Sequence, residues 1–249
     1  FILFTGRGSE EVASEAISAG VTDYLQKDRG SDQYALLANR ILNAVNRRRA
    51  RSDLERKIDE QKLVTTLGQE ALGNTTVEGL FNQAVEQVTE ILDVEYAKIL
   101  EYRPDRDDFA LRAGSGWDET GTAIATVKSG QDSQAGYTVE AAEPVIVESL
   151  SSDDRFTGPS ILTDHGVESG ISVLIGDNND PWGVFGLHTP HQRTFTGEDV
   201  NFIQNVANVL ATAIRHANHE RELRLFRQAV EASGHSIYFT DETGVIEYV

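Results

Sequence analysis

The sequence contains no cysteine, which excludes disulfides, thiolate nucleophiles and thiolate metal sites. Methionine is absent as well, even at position 1, and the chain opens on the apolar run Phe1-Ile2-Leu3-Phe4. It closes in another strand-like run, Val245-Ile246-Glu247-Tyr248-Val249, so a piece cut from a longer polypeptide is expected. No stretch approaches the ~18 apolar residues that cross a bilayer, and no cationic start leads into an apolar core. A cytoplasmic protein without membrane attachment is the expectation. Phosphate loops are missing too: Gly6-Arg7-Gly8 and Gly114-Ser115-Gly116 lack the Gly-Lys-Ser or Gly-Lys-Thr ending and read as turns.

Positive charge is scarce: 40 Asp+Glu stand against 22 Lys+Arg, five of them lysine, giving a formal charge of −18. Such a surface repels phosphate backbones, so no nucleic-acid partner is expected for this chain. Acid excess with little lysine resembles the composition of proteins from salt-loving archaea, where dense carboxylates keep the surface hydrated. The 249 residues suffice for one large domain or two small ones, and 39% hydrophobic content is low for a packed chain.

Residues 1–46 read strand, helix, strand, helix, with short connections that imply a parallel sheet. Ser9 precedes a helix whose buried face is expected to be Val12, Ala16 and Ile17, and Gly20 suits its C-terminal cap. Tyr34, Leu37, Ala38, Ile41, Leu42 and Val45 then repeat with helical spacing. Residues 47–73 are expected to form a charged linker helix. Its arginines, Arg47-Arg48-Arg49 and Arg51, are read as a solvated face, and Leu54, Ile58, Leu63, Leu67 and Leu72 as one narrow apolar stripe for a partner helix.

Residues 74–220 carry the pattern of a complete α+β domain. Thr75-Thr76-Val77-Glu78 reads as a capping box, with the Thr75 hydroxyl accepting from the Glu78 amide. Phe81, Val85, Val88 and Leu92 follow on one helix face. Strands are expected at 94–102, 109–113, 123–127, 145–147, 170–175 and 183–188, the last two joined by a turn over Gly176–Pro181. A second long helix starts at Thr196, with Asp199 at its third position and Ile203, Ala207, Leu210 and Ile214 as its core stripe. Residues 221–249 extend this helix through Leu223, Phe226 and Val230, are interrupted at Gly234, and end in a hairpin turning at Asp241–Gly244.

Three family resemblances attach to these zones. Phe4-Thr5-Gly6 and Asp23-Tyr24-Leu25-Gln26-Lys27 resemble the C-terminal half of a response-regulator receiver domain. That resemblance implies phosphate-contact roles for Thr5 and Lys27, with Tyr24 as the aromatic switch. Asp28 stands where the family often has proline, and the acidic pocket is not in this stretch. The middle zone resembles a GAF domain over its whole length, through Ser133-Gln134-Ala135-Gly136-Tyr137, Pro144–Glu148, Arg155-Phe156, Gly170–Val173, Pro181–Gly186 and Arg193–Thr196 leading into Asp199–Phe202. This implies a regulatory module that binds a small molecule, or relays and dimerises. The tail resembles the opening of a PAS sensor domain. The expected fold is therefore α+β: a GAF-type antiparallel sheet covered by helices, flanked by a partial α/β receiver half and a partial PAS hairpin on long helices.

No catalytic residue emerges, because no nucleophile–base or metal constellation is visible. His216 and His219 lie three apart on a helix beside Glu220 but lack a third ligand, so no metal is expected. His219-Glu220-Arg221 partly resembles a histidine-kinase phosphoacceptor box, without its proline or an ATP-binding segment. Asp153-Asp154 and Asp177/Asp180 do not alternate as calcium ligands do. Candidate pocket residues are Tyr137, Phe156, His165, Ser172 and His188, each with a bland alternative as core filler or polar cap. A bilin usually attaches through cysteine, and the cyclic-nucleotide signature is represented only by Phe195 and Glu198-Asp199, so the ligand stays unknown. A homodimer through the linker helices is expected. By resemblance the parent is a sensor histidine kinase, or alternatively a transcription regulator of the bacterio-opsin activator type.

Overall fold

Near-continuous apolar runs such as 170–175 and 183–188 call for a sheet covered on both faces, and the computed structural model shows how each is covered. It describes residues 1–6, 10–27, 32–73, 75–117, 126–128, 133–155, 158–232, 239–240 and 246–248. The chain divides into two compact units, Phe1–Asp59 and Glu60–Val249.

In the first unit, β1 (Ile2–Thr5) pairs in parallel with β2 (Asp23–Gln26), with α1 (Glu10–Ser18) crossing between them. Gly20 takes a φ of +90°, and the Val21 amide donates back to the Ala16 carbonyl at 3.1 Å, closing α1 as expected. Thr5 and Lys27 come together at the strand ends, where the Lys27 amide donates to the Thr5 carbonyl at 2.8 Å. Arg40 of α2 (Asp32–Ala71) holds Asp23 at 2.6 Å. The expected buried face of α1 is not buried: Val12 is 41% and Ile17 58% exposed. Two strands offer too little surface to cover it.

A single 40-residue helix, α2, runs through what the sequence divides into a last helix and a linker. Leu63 and Leu67 are buried in the core of the second unit, whereas Leu54, Ile58 and Leu72 are exposed. The expected single stripe is therefore wrong. Leu54 and Leu63 are nine residues apart, as are Ile58 and Leu67, and nine residues at about 3.6 per turn is two and a half turns. Each pair thus points to opposite sides of the helix.

The second unit is built on a six-stranded antiparallel sheet in the order β5-β4-β3-β8-β7-β6. Its strands are β3 (Tyr96–Arg103), β4 (Asp108–Ser115), β5 (Thr126–Lys128), β6 (Val145–Val147), β7 (Ser169–Asp177) and β8 (Asp180–Thr189). The end of α2, α3 (Val77–Leu92) and α6 (Gly197–Ala232) cover one face. Leu67, Phe81, Val88, Phe202, Val206 and Leu210 meet Ile99, Ile171, Val173 and Phe185 there, all nearly or fully buried.

The N-cap of α3 is Thr76, not Thr75; its hydroxyl accepts from the Gly79 amide at 3.2 Å. Glu78 instead reaches Arg112 at 2.6 Å, while Arg112 also binds Glu101 at 2.8 Å. The β3–β4 register shifts between Ile99 and Leu100, so Arg112 is the extra residue of a bulge. At the other end of α3, Asp93 adopts a left-handed conformation, and Arg193 donates to the carbonyls of Leu92 and Asp93. The start of α6 is a true capping box. Thr196 donates from its amide and hydroxyl to Asp199, each at 2.8 Å, and its hydroxyl accepts from the Asp199 amide at 3.2 Å.

β7 and β8 join through the two-residue turn Asn178-Asn179. At the chain's end β9 (Phe239–Thr240) pairs antiparallel with β10 (Ile246–Tyr248), and the expected turn at Asp241–Gly244 lies outside the described residues, as do Ser9 and Gly234.

Candidate functional site

Strand alternation sends Ala97, Ile99, Val173, Phe185 and Leu187 to the helix layer. The same register sends Tyr96, Lys98 and Leu100 of β3, Ser172 and Leu174 of β7, and Val184, Gly186 and His188 of β8 to the opposite face. Two short helices that the sequence reading missed cover that face. α4 (Gln134–Ala141) starts at Ser133, whose hydroxyl accepts from the Gly136 amide at 3.0 Å, and lies across β7 and β8. α5 (Ser160–Asp164) follows.

Between this cover and the sheet a cavity of about 10 Å³ remains, on the order of the room one water molecule needs. Lys98, Ser133, Gln134, Ser172, Gly186 and His188 are its polar or side-chain-free walls; Leu100, Leu162 and Val184 are apolar walls. Lys98 is 5% exposed and His188 1%. Neither ring nitrogen of His188 has a hydrogen-bond partner among the described residues. Desolvation, aided by the nearby Lys98 charge, holds the His188 pKa well below its ordinary value, so the ring is neutral at pH 7. Burial lowers the Lys98 pKa to about 7. Its ammonium lies 5.3 Å from the Trp117 ring centre, and no carboxylate lines the cavity among the described residues.

Ser172 is wired into the cover. Thr138 donates to the Gln134 carbonyl at 2.7 Å, and its oxygen is 2.6 Å from the Ser172 hydroxyl. With the Thr138 proton spent on Gln134, Ser172 is the donor of that pair, which leaves its own lone pairs open.

Trp117 organises the rim. Its indole N–H donates to the Ala97 carbonyl at 2.7 Å, and its ring stacks on Tyr96 at 4.6 Å and meets His165 and His188 edge-on at 5.1 and 5.9 Å. Gly116 allows this placement. Its φ is +83°, and a Cβ there would stand 1.9 Å from the Glu95 carbonyl oxygen. The Gly114-Ser115-Gly116 segment thus ends a strand and seats an aromatic ring.

The expected pocket residues fare differently. Ser172 and His188 line the cavity. His165 caps α5 rather than lying in an open loop; its Nδ1 is 2.9 Å from the Ile161 carbonyl, and its ring borders Trp117 and Tyr96. Tyr137 is off the cavity wall: the Arg155 guanidinium lies 5.5 Å from its ring, anchored by Asp153 at 2.6 Å and the Ile146 carbonyl at 2.7 Å. Phe156 lies outside the described residues. Lys98 and Trp117 were missed, although a lysine in the middle of a strand buried on both faces is a readable signal. His216 and His219 are exposed on α6.

A family model for the GAF domain matches residues 76–214. No curated protein matches the sequence. Among solved structures, the GAF domain of a phosphoenolpyruvate-protein phosphotransferase from Coxiella burnetii is similar at 17% identity and TM-score 0.59, covering 66% of this chain and 98% of that one. The free methionine-R-sulfoxide reductase of Neisseria meningitidis, solved with its substrate, is similar at 12% identity and TM-score 0.56, covering 65% and 91%. A phycocyanobilin-bound GAF domain of a cyanobacterial phytochrome is similar at 16% identity and TM-score 0.54, covering 65% and 96%. The helix-backed antiparallel sheet, the covered second face and the family match over 76–214 lead to one conclusion: this chain belongs to the GAF domain family of sensory and signalling modules.

Proposed function

We propose that the chain is a non-catalytic sensory relay from an intracellular signalling protein, its GAF domain taking a small molecule on the covered face of the sheet. The observation that carries this reading is the asymmetry of that sheet. One face is packed dry by α2, α3 and α6, while the other keeps buried, unpaired polar groups around a cavity. Two of the covering helices are long: α2 begins at Asp32 and α6 ends at Ala232.

The first part of α2 and the last part of α6 support a homodimer. Leu54 and Ile58 on α2, and Leu223 and Phe226 on α6, are each more than half exposed. Ile214, buried, and Leu223 are again nine residues apart, so Leu223 turns away from the core stripe of α6. The β1–α1–β2 unit with Thr5 and Lys27 at adjacent strand ends supports a receiver half before the GAF domain, and the terminal strand pair supports a PAS domain after it. A sensor histidine kinase is the parent favoured by that order, with a bacterio-opsin activator-type regulator as the second reading. Incubated with ATP or a small phosphodonor, the purified chain is expected to take up no label; stoichiometric phosphate on any residue would reject the non-catalytic reading.

The −18 charge supports a salt-adapted protein. Carboxylate repulsion is screened over ~10 Å at 0.1 M salt and ~3 Å at 1 M. The melting midpoint is therefore expected to climb as KCl rises to molar levels, and a flat or falling curve would remove the halophile assignment.

A further inference from the structure

We infer that the cavity between Lys98 and His188 is a binding site for a compact monoanion, a small carboxylate or an ion of similar size. The inference rests on the ligand-pocket reading above and names the chemistry of that pocket. Lys98 is an amine only 5% exposed, and among the described residues it has neither a hydrogen bond nor an ion pair, only the Trp117 ring at 5.3 Å. A buried ammonium without a counter-charge is costly, so the empty pocket pushes Lys98 toward its neutral form, and an anion beside it restores the charge. His188 is the other orphan. Its neutral ring carries one N–H and one bare nitrogen, both unsatisfied.

The two groups face the same space. A Cβ at Gly186 would lie 3.0 Å from His188 Nε2 and 3.7 Å from Lys98 Cε, so the missing side chain of Gly186 leaves the gap that both border. Gly170 makes the matching concession on the other side, where a Cβ would stand 2.6 Å from His188 Nδ1. Gln134 adds an amide N–H from α4, while the Ser172 hydroxyl, its proton given to Thr138, borders the space as an acceptor and gives the anion no hydrogen bond. The titratable groups lining this space are Lys98 from β3 and His188 from β8; His165 at the end of α5 and Tyr96 of β3 border Trp117 beside it, and the lining from β7 and α4 carries none among the described residues. An anion there receives a full positive charge from Lys98 and an N–H from His188. Its size is limited by the ~10 Å³ of free space unless the α4 and α5 cover lifts. A planar pigment or a nucleotide requires a wide lift, a carboxylate as small as acetate a partial one, and a chloride-sized ion roughly the space of one water.

The site has a proton linkage of fixed sign. Lys98 titrates at about 7 in the empty pocket, and a bound anion raises that value by favouring the ammonium. Binding is therefore strongest below pH 7. It weakens as pH rises above 7, by up to about tenfold per pH unit, until the pKa of the occupied state is passed.

The test is thermal melting of the whole chain at constant ionic strength and constant cation, with gluconate replaced stepwise by acetate or by chloride, at pH 6, 7 and 8. The Trp117 indole N–H resonance is followed by NMR in the same series. Saturable stabilisation and a shift of the Trp117 signal, both fading from pH 6 to 8, are expected. Response to acetate alone identifies a carboxylate site, and an equal response to chloride a general monoanion site; both support the inference. Lys98→Met keeps the stem and removes the charge. It is expected to melt higher than the parent at pH 6 in gluconate and to ignore acetate and chloride. Identical midpoints in all three anions, or an undiminished response in Lys98→Met, overturn the inference. If anions fail but neutral small molecules shift the Trp117 signal, the anion assignment falls while the pocket reading stands; if nothing shifts it, both fall.

Discussion

Gly116→Ala is expected to be the most damaging single-methyl change in the GAF domain. The new Cβ would sit 1.9 Å from the Glu95 carbonyl oxygen, at a φ of +83° that alanine adopts only with strain. Backbone must move, and with it Trp117, whose ring holds Tyr96, His165 and His188 in place. A loss of about 3–5 kcal/mol is expected, a fall in melting midpoint of roughly 10 °C for a domain of this size. Gly197→Ala is the control, because nothing stands within 4 Å of a Cβ there and its φ is ordinary. It should be neutral or slightly stabilising. Equal midpoints for the two variants would show that the Glu95–Gly116 approach is not a constraint on the fold.

Leu54→Asp combined with Ile58→Asp should give the largest change in assembly. Both side chains are exposed on α2, at 60% and 56%, and each is worth ~1.5–3 kcal/mol when fully buried in a partner. In the proposed dimer four such side chains lose their contacts, so dissociation is expected to weaken the dimer more than ~100-fold. The circular dichroism of the GAF domain should be unchanged. Leu63→Asp, only nine residues along, should do the opposite: unfold the domain, because Leu63 is 2% exposed in its core. Sedimentation equilibrium in high salt with circular dichroism separates the two outcomes. A parent chain that is monomeric at tens of micromolar, or a double variant that still dimerises, would reject the linker interface.

The contrast between Leu54 and Leu63 shows how much the sequence could say. Both belong to a repeating apolar series, and the reading from the sequence joined them in one seam. The nine-residue interval was available from the sequence and already implied opposite faces. What it could not supply is which face meets the sheet, since that depends on how α2 docks beside α3 and α6. The cap at Thr76 is a smaller instance. Two adjacent threonines are equivalent in composition, and Arg112 resolves the choice by drawing Glu78 away into an ion pair. Arg112 reaches it from a bulge that no local pattern announces.

Local chemistry alone determined the class and order of the longer elements, though not the short helices α4 and α5. Period-2 and period-3.6 hydrophobic patterns, the Thr196–Asp199 box and the Asn178-Asn179 turn act over a few residues, and their physics is complete within that span. The absence of cysteine likewise removed thiol chemistry without reference to any fold. The candidate site was decided elsewhere. Lys98, Trp117, Ser172 and His188 come from β3, the end of β4, β7 and β8, and their burial arises only when the sheet closes and α4 and α5 cover it. A lysine on an open strand is solvated and ordinary; under that cover, with no carboxylate in the cavity lining among the described residues, it is desolvated and its pKa falls to about 7. Desolvation is a property of the assembled surroundings, so only the tertiary structure could reveal it.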